Sequence, residues 1–271
     1  MMLAHLPARA VLYLTGGDRV GFLNGLVSND VALAAPGRAI WAALLTAQGK
    51  WLADFFILAT ADALLIDCEA AQAEMLASRL TRYKLRADIH LAASPLHVAT
   101  AWGGTQDLPE GTIAAPDPRL PGAGWRVLCP SLPPATASFD DWDRHRIGLG
   151  LPDGSRDLEP EKTVLLEAGF DELNGVSWTK GCYMGQELTA RTRYRGLVKR
   201  RLVPVSATLP LPDAGTPVFS HDKEVGQIRS SNGSAGLALL RLEALHSNAL
   251  ISNEKSISIH IPPWARIPQA A

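Results

Sequence analysis

A chain of 271 residues is long for one hydrophobic core and suits two or three packed units. With 47% apolar and 20% charged residues it can bury enough surface to offset chain entropy, which excludes a disordered protein. The formal net charge of -1 excludes a global field drawing the molecule onto nucleic acid or an anionic membrane.

No apolar run approaches the ~20 residues that span a bilayer, and the opening MMLAHLPARAVLYL lacks the three regions of a signal peptide. A cytoplasmic location without membrane contact is therefore expected. The three cysteines, Cys68, Cys129 and Cys182, lie more than fifty residues apart, with no CxxC and no histidine at zinc-ligand spacing. Neither a permanently bound metal nor a disulfide framework is expected.

In chain order, Asp18 is placed to cap a helix over 19–27, where Phe22, Leu23, Leu26 and Val27 recur at helical spacing. The runs at 39–46, 51–60 and 63–68 are short, apolar and separated by turn signals, which predicts neighbouring strands. From Glu69 the period changes: Leu76, Leu80 and Tyr83 predict an amphipathic helix to about Leu85. Glycine and proline dominate 103–124 and 130–138, so these read as loops or subdomain edges, with a domain change near 138. After Gly196 short turn-separated runs predict a small β-barrel over 197–271, and in its last run Ile257, Ile259 and Ile261 alternate with polar residues as in a half-buried strand. The fold class is α+β.

The informative stretch is Leu165 to Leu202, LLEAGFDELNGVSWTKGCYMGQELTARTRYRGLVKRRL. Gly181 and Gly185 permit tight backbone geometry, and Gln186, Glu187 and Leu188 open a helix, leaving Cys182 just before its N-terminus. Lys180 two residues upstream and the helix dipole both favour a thiolate. On the residues alone, a small buried packing cysteine is the competing reading. Downstream, Arg191, Arg193, Arg195, Lys199, Arg200 and Arg201 place six cations in eleven residues around Tyr194. That run can hold a folate's glutamate tail, a phosphate backbone or an acidic partner, or can serve only as a solvated face.

KGCYMGQE, from Lys180 to Glu187, resembles the signature of YgfZ-type proteins, and DRVGFLNGLVSNDV, LLTAQGKWLADFFIL, TRYKLRADIHL and GLALLRLEAL are similar to other segments of that family. The family comprises bacterial folate-binding proteins and mitochondrial iron-sulfur assembly factors, and it resembles the aminomethyltransferase of the glycine cleavage system. The resemblance implies the aminomethyltransferase fold, with a discontinuous first domain (1–45 and 139–196), a second α/β domain (46–138) and a closing C-terminal β-barrel (197–271). It also implies a tetrahydrofolate cofactor and iron-sulfur client or assembly proteins as partners, in the cytoplasm or, for a eukaryotic source, the mitochondrial matrix. By the same resemblance Cys182 and Lys180 are the working pair, and Gly181, Tyr183, Gly185, Gln186, Glu187, Arg191 and Arg195 bind the cofactor. The transferase's catalytic Asp falls near Ala73 or Glu74 and its pteridine-holding Glu near Arg146, so its chemistry does not carry over cleanly. Two readings follow. One is a folate-binding factor for cluster assembly or repair, including clusters of tRNA-modifying radical enzymes; the other is a tetrahydrofolate-dependent aminomethyl transferase. A direct RNA-binding surface is disfavoured, for want of any recognition motif or aromatic platform.

Overall fold

Every residue of the runs IWAALL and WLADFFILA is buried, because the sheet they form is covered on both faces. The computed structural model describes residues 1–104 and 108–267. In chain order the elements are β1 (Met2–His5), β2 (Arg9–Thr15), α1 (Arg19–Asn24), β3 (Ile40–Leu45), β4 (Trp51–Ala59), β5 (Ala63–Glu69), α2 (Ala73–Tyr83), β6 (His90–Ala93), β7 (His97–Trp102), β8 (Ile113–Pro116), β9 (Trp125–Cys129), α3 (Phe139–Leu149) and α4 (Gln186–Tyr194). The barrel follows with β10 (Arg200–Ser206), β11 (Pro217–Ser220), β12 (Lys223–Asn232), β13 (Ala235–Arg241), β14 (Leu250–Ser252) and β15 (Lys255–Ile259).

One antiparallel sheet has the order β3-β4-β5-β2-β6, a second β1-β7-β9-β8, and the barrel closes as β10-β13-β12-β11-β14-β15. Side chains alternate between the faces of the first sheet. Ile40, Ala42, Leu44, Phe55 and Ile57 pack with Leu23 of α1 and Leu76 and Leu80 of α2. Trp41, Leu45, Trp51, Phe56 and Leu58 pack instead with Val98, Trp102 and Leu128 of the second sheet and Trp142 of α3. Of the expected domain limits, 45/46 lies inside the β3–β4 hairpin, whose register pairs Ile40 with Ile57, and 138/139 lies at the start of α3.

The predicted strands at 39–46, 51–60 and 63–68 are found to within a residue. The helix after Asp18 is shorter than its apolar spacing implied, ending at Asn24, and Asp18 does not cap it: its carboxylate accepts from the Asp88 backbone N–H at 2.8 Å. Tyr83, assigned to the apolar face of α2, is 46% exposed and turns its hydroxyl to the Met184 sulfur. In the last barrel run Ile257 is buried, but Ile261 lies beyond the end of β15 and is 43% exposed. The glycine- and proline-rich stretch read as loop contains β8 at the edge of its sheet, with Pro116 as its final residue.

The core holds charge as well as carbon. Arg146, 1% exposed, bonds Asp143 on its own helix, Asp157 at 2.6 Å, the Leu151 carbonyl and Ser230 of β12, so it ties α3 to the barrel. Ile147 beside it packs on Leu202, Leu237 and Leu239 of the barrel wall. Arg146 is therefore spent on structure. Glu74 lies exposed in the first turn of α2.

Asp54, 4% exposed, accepts from the indole N–H groups of Trp41 (2.8 Å) and Trp51 (3.1 Å). Burial pushes its carboxyl from 3.8 up to about 6 against those hydrogen bonds. A folded-state value above the unfolded one means its contribution to stability is fully present below pH 4 and is lost as pH rises through 6. Two units correspond to about 3 kcal/mol. The difference in unfolding free energy between wild type and Asp54→Asn, followed by urea denaturation, should shift by that order against wild type between pH 4 and 6.5; a pH-independent difference would contradict it.

Candidate functional site

The segment from Asn174 to Gly185 is laid along the loop that follows α1. Ser28 Oγ donates to the Gly175 carbonyl at 2.6 Å, Ser177 N–H to the Ser28 carbonyl at 3.0 Å, and Met184 N–H to the Gly25 carbonyl at 3.3 Å. Lys180 completes the join: its ammonium donates to the carbonyls of Asn24, Val27 (2.7 Å) and Asn29 (2.9 Å). Burial lowers it to about 8 while Asp30 pulls the other way. Expected to activate Cys182, Lys180 spends its three donors on backbone and acts as the clamp that fixes the loop carrying the thiol.

Gly185 enters α4 with φ +76°, and a Cβ there would lie 2.4 Å from the Thr46 carbonyl oxygen and 2.9 Å from the Gly49 Cα. Gly49 is equally confined, since its Cβ would meet the Gly185 carbonyl at 2.6 Å. These two glycines let the β3–β4 turn seat directly against the start of α4.

Cys182 is exposed, whereas Cys68 and Cys129 are buried. Burial pushes the Cys68 thiol up to about 12 and raises that of Cys129. One thiol therefore meets solvent, and the packing-cysteine reading applies to the other two. Its neighbours Gly181 and Tyr183 line a cleft of about 570 Å³ together with Gln186, Glu187, Arg191 and Arg195. Six of the seven residues expected to bind cofactor thus share one cleft; the seventh, Gly185, is packed beneath it. The Tyr183 N–H donates to Gln186 Oε1 at 3.2 Å, and burial raises its phenol. Glu187 reaches only Arg191, at 3.7 Å, with its side chain 90% exposed.

The basic run does not form a single patch. Arg200 pairs with Glu167 at 3.2 Å, and Arg201, 2% exposed, pairs with Glu172 and donates to the Leu166 carbonyl at 2.8 Å. Arg191, Arg193, Arg195 and Lys199 remain at the surface. Arg193 lies 4.0 Å over the Trp178 ring, and Tyr194 meets that indole edge-on.

Three further hollows converge on Asn174, which has φ +57° and donates through Nδ2 to the Pro118 carbonyl at 3.1 Å while its own carbonyl accepts from Asn29. One, of about 480 Å³, includes Asn29, Arg38, Val176 and Ser177; another, of about 520 Å³, lies over Asp117 and Trp102. The third, of about 700 Å³, includes Asp171, Trp178, Arg201 and Trp264. Ser177 also lines the Cys182 cleft, as does Trp178, so all four concavities share walls. Sequence reasoning missed Asn174, Asp171 and Trp264; the first two sit in the stretch singled out but carry no motif, and Trp264 lies about sixty residues beyond its end. Among the described residues no group of three or more His, Cys, Asp or Glu side chains is placed to hold a metal ion.

Residues 199–267 match the family model described as the CAF17 C-terminal beta-barrel domain, in agreement with the closed barrel. Over nearly the whole chain the fold is that of the crystal structure of glycine cleavage system aminomethyltransferase T from Bartonella henselae, with a TM-score of 0.76, 98% of this chain and 86% of that chain covered, and 14% identity. The sequence is 33% identical to the mitochondrial iron-sulfur cluster assembly factor IBA57 of Mus musculus and 33% identical to that of Homo sapiens, in each case over 96% of this chain and 84% of the relative. Both names place those proteins in mitochondria, so the expected cytoplasmic location draws no support from them. No helix among the described residues is long and apolar enough to cross a membrane. Identity at this level over this span is enough to conclude that the chain belongs to the IBA57 family of iron-sulfur cluster assembly factors, the YgfZ-type family.

Proposed function

We propose that the protein assists assembly or repair of iron-sulfur clusters in client proteins, tRNA-modifying radical enzymes among them, with Cys182 as its working thiol and a tetrahydrofolate held beside it. The observation that carries this reading is the exposure of Cys182, alone among the three cysteines, on a loop fixed by the Lys180 clamp, in a chain alike over its length to cluster assembly factors. A thiolate is a soft ligand and nucleophile, and a single one can take part transiently in cluster traffic where a resident cluster needs about four ligands.

Support for folate is the aminomethyltransferase fold and the linked concavities, each within the ~300–1,000 Å³ usual for small-molecule sites. The ligand's heterocycle would lie toward Asn174 and its glutamate carboxylates toward Arg191 and Arg195. Aminomethyl transfer gains no comparable observation, because Glu74 faces solvent and Arg146 is locked in buried ion pairs. Calorimetric titration with tetrahydrofolate should show saturable binding with Kd below about 1 mM, weakened by Arg191→Ala combined with Arg195→Ala. A folded protein that takes up no tetrahydrofolate at millimolar concentration would remove folate from the proposal.

A further inference from the structure

Two residues that line the cavity between α4 and the segment after the barrel each keep a buried polar atom that nothing among the described residues satisfies: Asp171 Oδ1, an acceptor, and Arg201 Nε, a donor. Unpaired buried groups of this kind are uncommon and destabilising unless a ligand or water completes them. Arg201 gives its remaining nitrogens to Glu172 and the Leu166 carbonyl, and Glu172 is itself fixed by the Arg266 backbone N–H at 2.6 Å. Burial pushes the Asp171 carboxyl up against the attraction of Arg201, a backbone hydrogen bond and the more distant Arg193 and Arg266.

The walls are aromatic. Trp264 lines the cavity with its indole N–H tied to the Leu149 carbonyl at 2.8 Å, and Trp178 lines it with Arg193 over its ring. Such walls suit a flat ring system, and a volume of about 700 Å³ accommodates one with substituents. One acceptor and one donor, on two residues that line the same cavity, are complementary to the adjacent N–H and C=O of a cyclic amide.

We infer that Asp171 and Arg201 read the lactam edge of a pyrimidinone ring, Asp171 Oδ1 accepting its ring N–H and Arg201 Nε–H donating to its carbonyl, with Trp178 and Trp264 as walls. The inference rests on the folate reading, since pterins carry this edge, and it deepens that reading by naming the groups that meet the ring. Guanine carries the same edge, so the chemistry has two sources.

Intrinsic tryptophan fluorescence and calorimetry on the full chain distinguish them, with tetrahydrofolate, tetrahydroaminopterin (an amine in place of the C4 carbonyl) and guanosine as probes. Wild type should bind tetrahydrofolate at least ten times more tightly than the 4-amino compound. Asp171→Ala should lose at least tenfold affinity for tetrahydrofolate and most of that discrimination, at an unchanged melting temperature. Should that variant fail to fold, the comparison of the two pterins on wild type decides alone. Binding of tetrahydrofolate with no discrimination, or with full affinity in a folded Asp171→Ala, would overturn the lactam assignment and leave the folate reading standing. Binding of guanosine dependent on Asp171, without binding of tetrahydrofolate, would keep the assignment and overturn the folate reading. Uptake of none of the three would overturn both.

Discussion

Asp67→Ala should lower the stability of the protein by about 3–5 kcal/mol, the cost of stranding buried charge. Asp67 on β5 has no exposed surface, and it bonds Arg9 of β2 and Arg126 of β9, at 2.9 Å for the Arg126 Nε. Both guanidinium groups also lie on the Phe56 ring, at 5.6 and 4.3 Å. One carboxylate therefore neutralises two cations where the two sheets face each other. Removing it leaves two like charges in a low-dielectric interior, with Asp153, 4.0 Å from Arg9, as the nearest remaining acid paired with either. Urea denaturation measures the loss, and a change below 1 kcal/mol would show that water or a neighbouring carboxylate reaches the site. Replacing all three members with apolar residues of similar volume should be less damaging than Asp67→Ala alone, because no charge is then stranded.

That triad also marks where the sequence was readable and where it was not. Strands β3, β4 and β5 were legible because their apolar runs are bounded by Gln48-Gly49-Lys50 and Ala61-Asp62. Their covering by a second sheet was not, since LLIDC says nothing about an arginine sixty residues away at β9. Asp18 illustrates the same limit: its position before a helix invited a cap, and a tertiary partner at Asp88 took the carboxylate. The barrel was legible from short turn-separated runs, although Ile261 continued the alternation past the end of its strand.

Within the site, the residues of the cleft were legible because 181–195 are local and helical spacing brings Glu187, Ala190, Arg191 and Tyr194 onto one wall. The signature misled on Lys180, whose partners are carbonyls 150 residues earlier in the chain. The basic run misled on Arg200 and Arg201, whose acids at Glu167 and Glu172 lie outside the run of cations. Charge density along a sequence does not report which side chains turn inward.

The second large effect is functional. Cys182→Ser changes little volume at an exposed position, so its stability should stay within about 0.5 kcal/mol of wild type. It removes the soft sulfur, and oxygen in its place is neither a comparable thiolate nucleophile nor a comparable ligand for iron. Cys68 and Cys129 provide controls, since both are buried, and for Cys68 replacement by Ser places a hydroxyl in an apolar core. The direct test is complementation of a strain lacking the gene at matched expression, read as the activity of cluster-dependent enzymes, with melting temperatures for all three variants. The expected result is a loss of at least about tenfold for Cys182→Ser with an unchanged melting temperature, against lowered melting temperatures and retained activity for the other two. Full complementation by Cys182→Ser would contradict the account, leaving the exposed thiol without a part in cluster assembly.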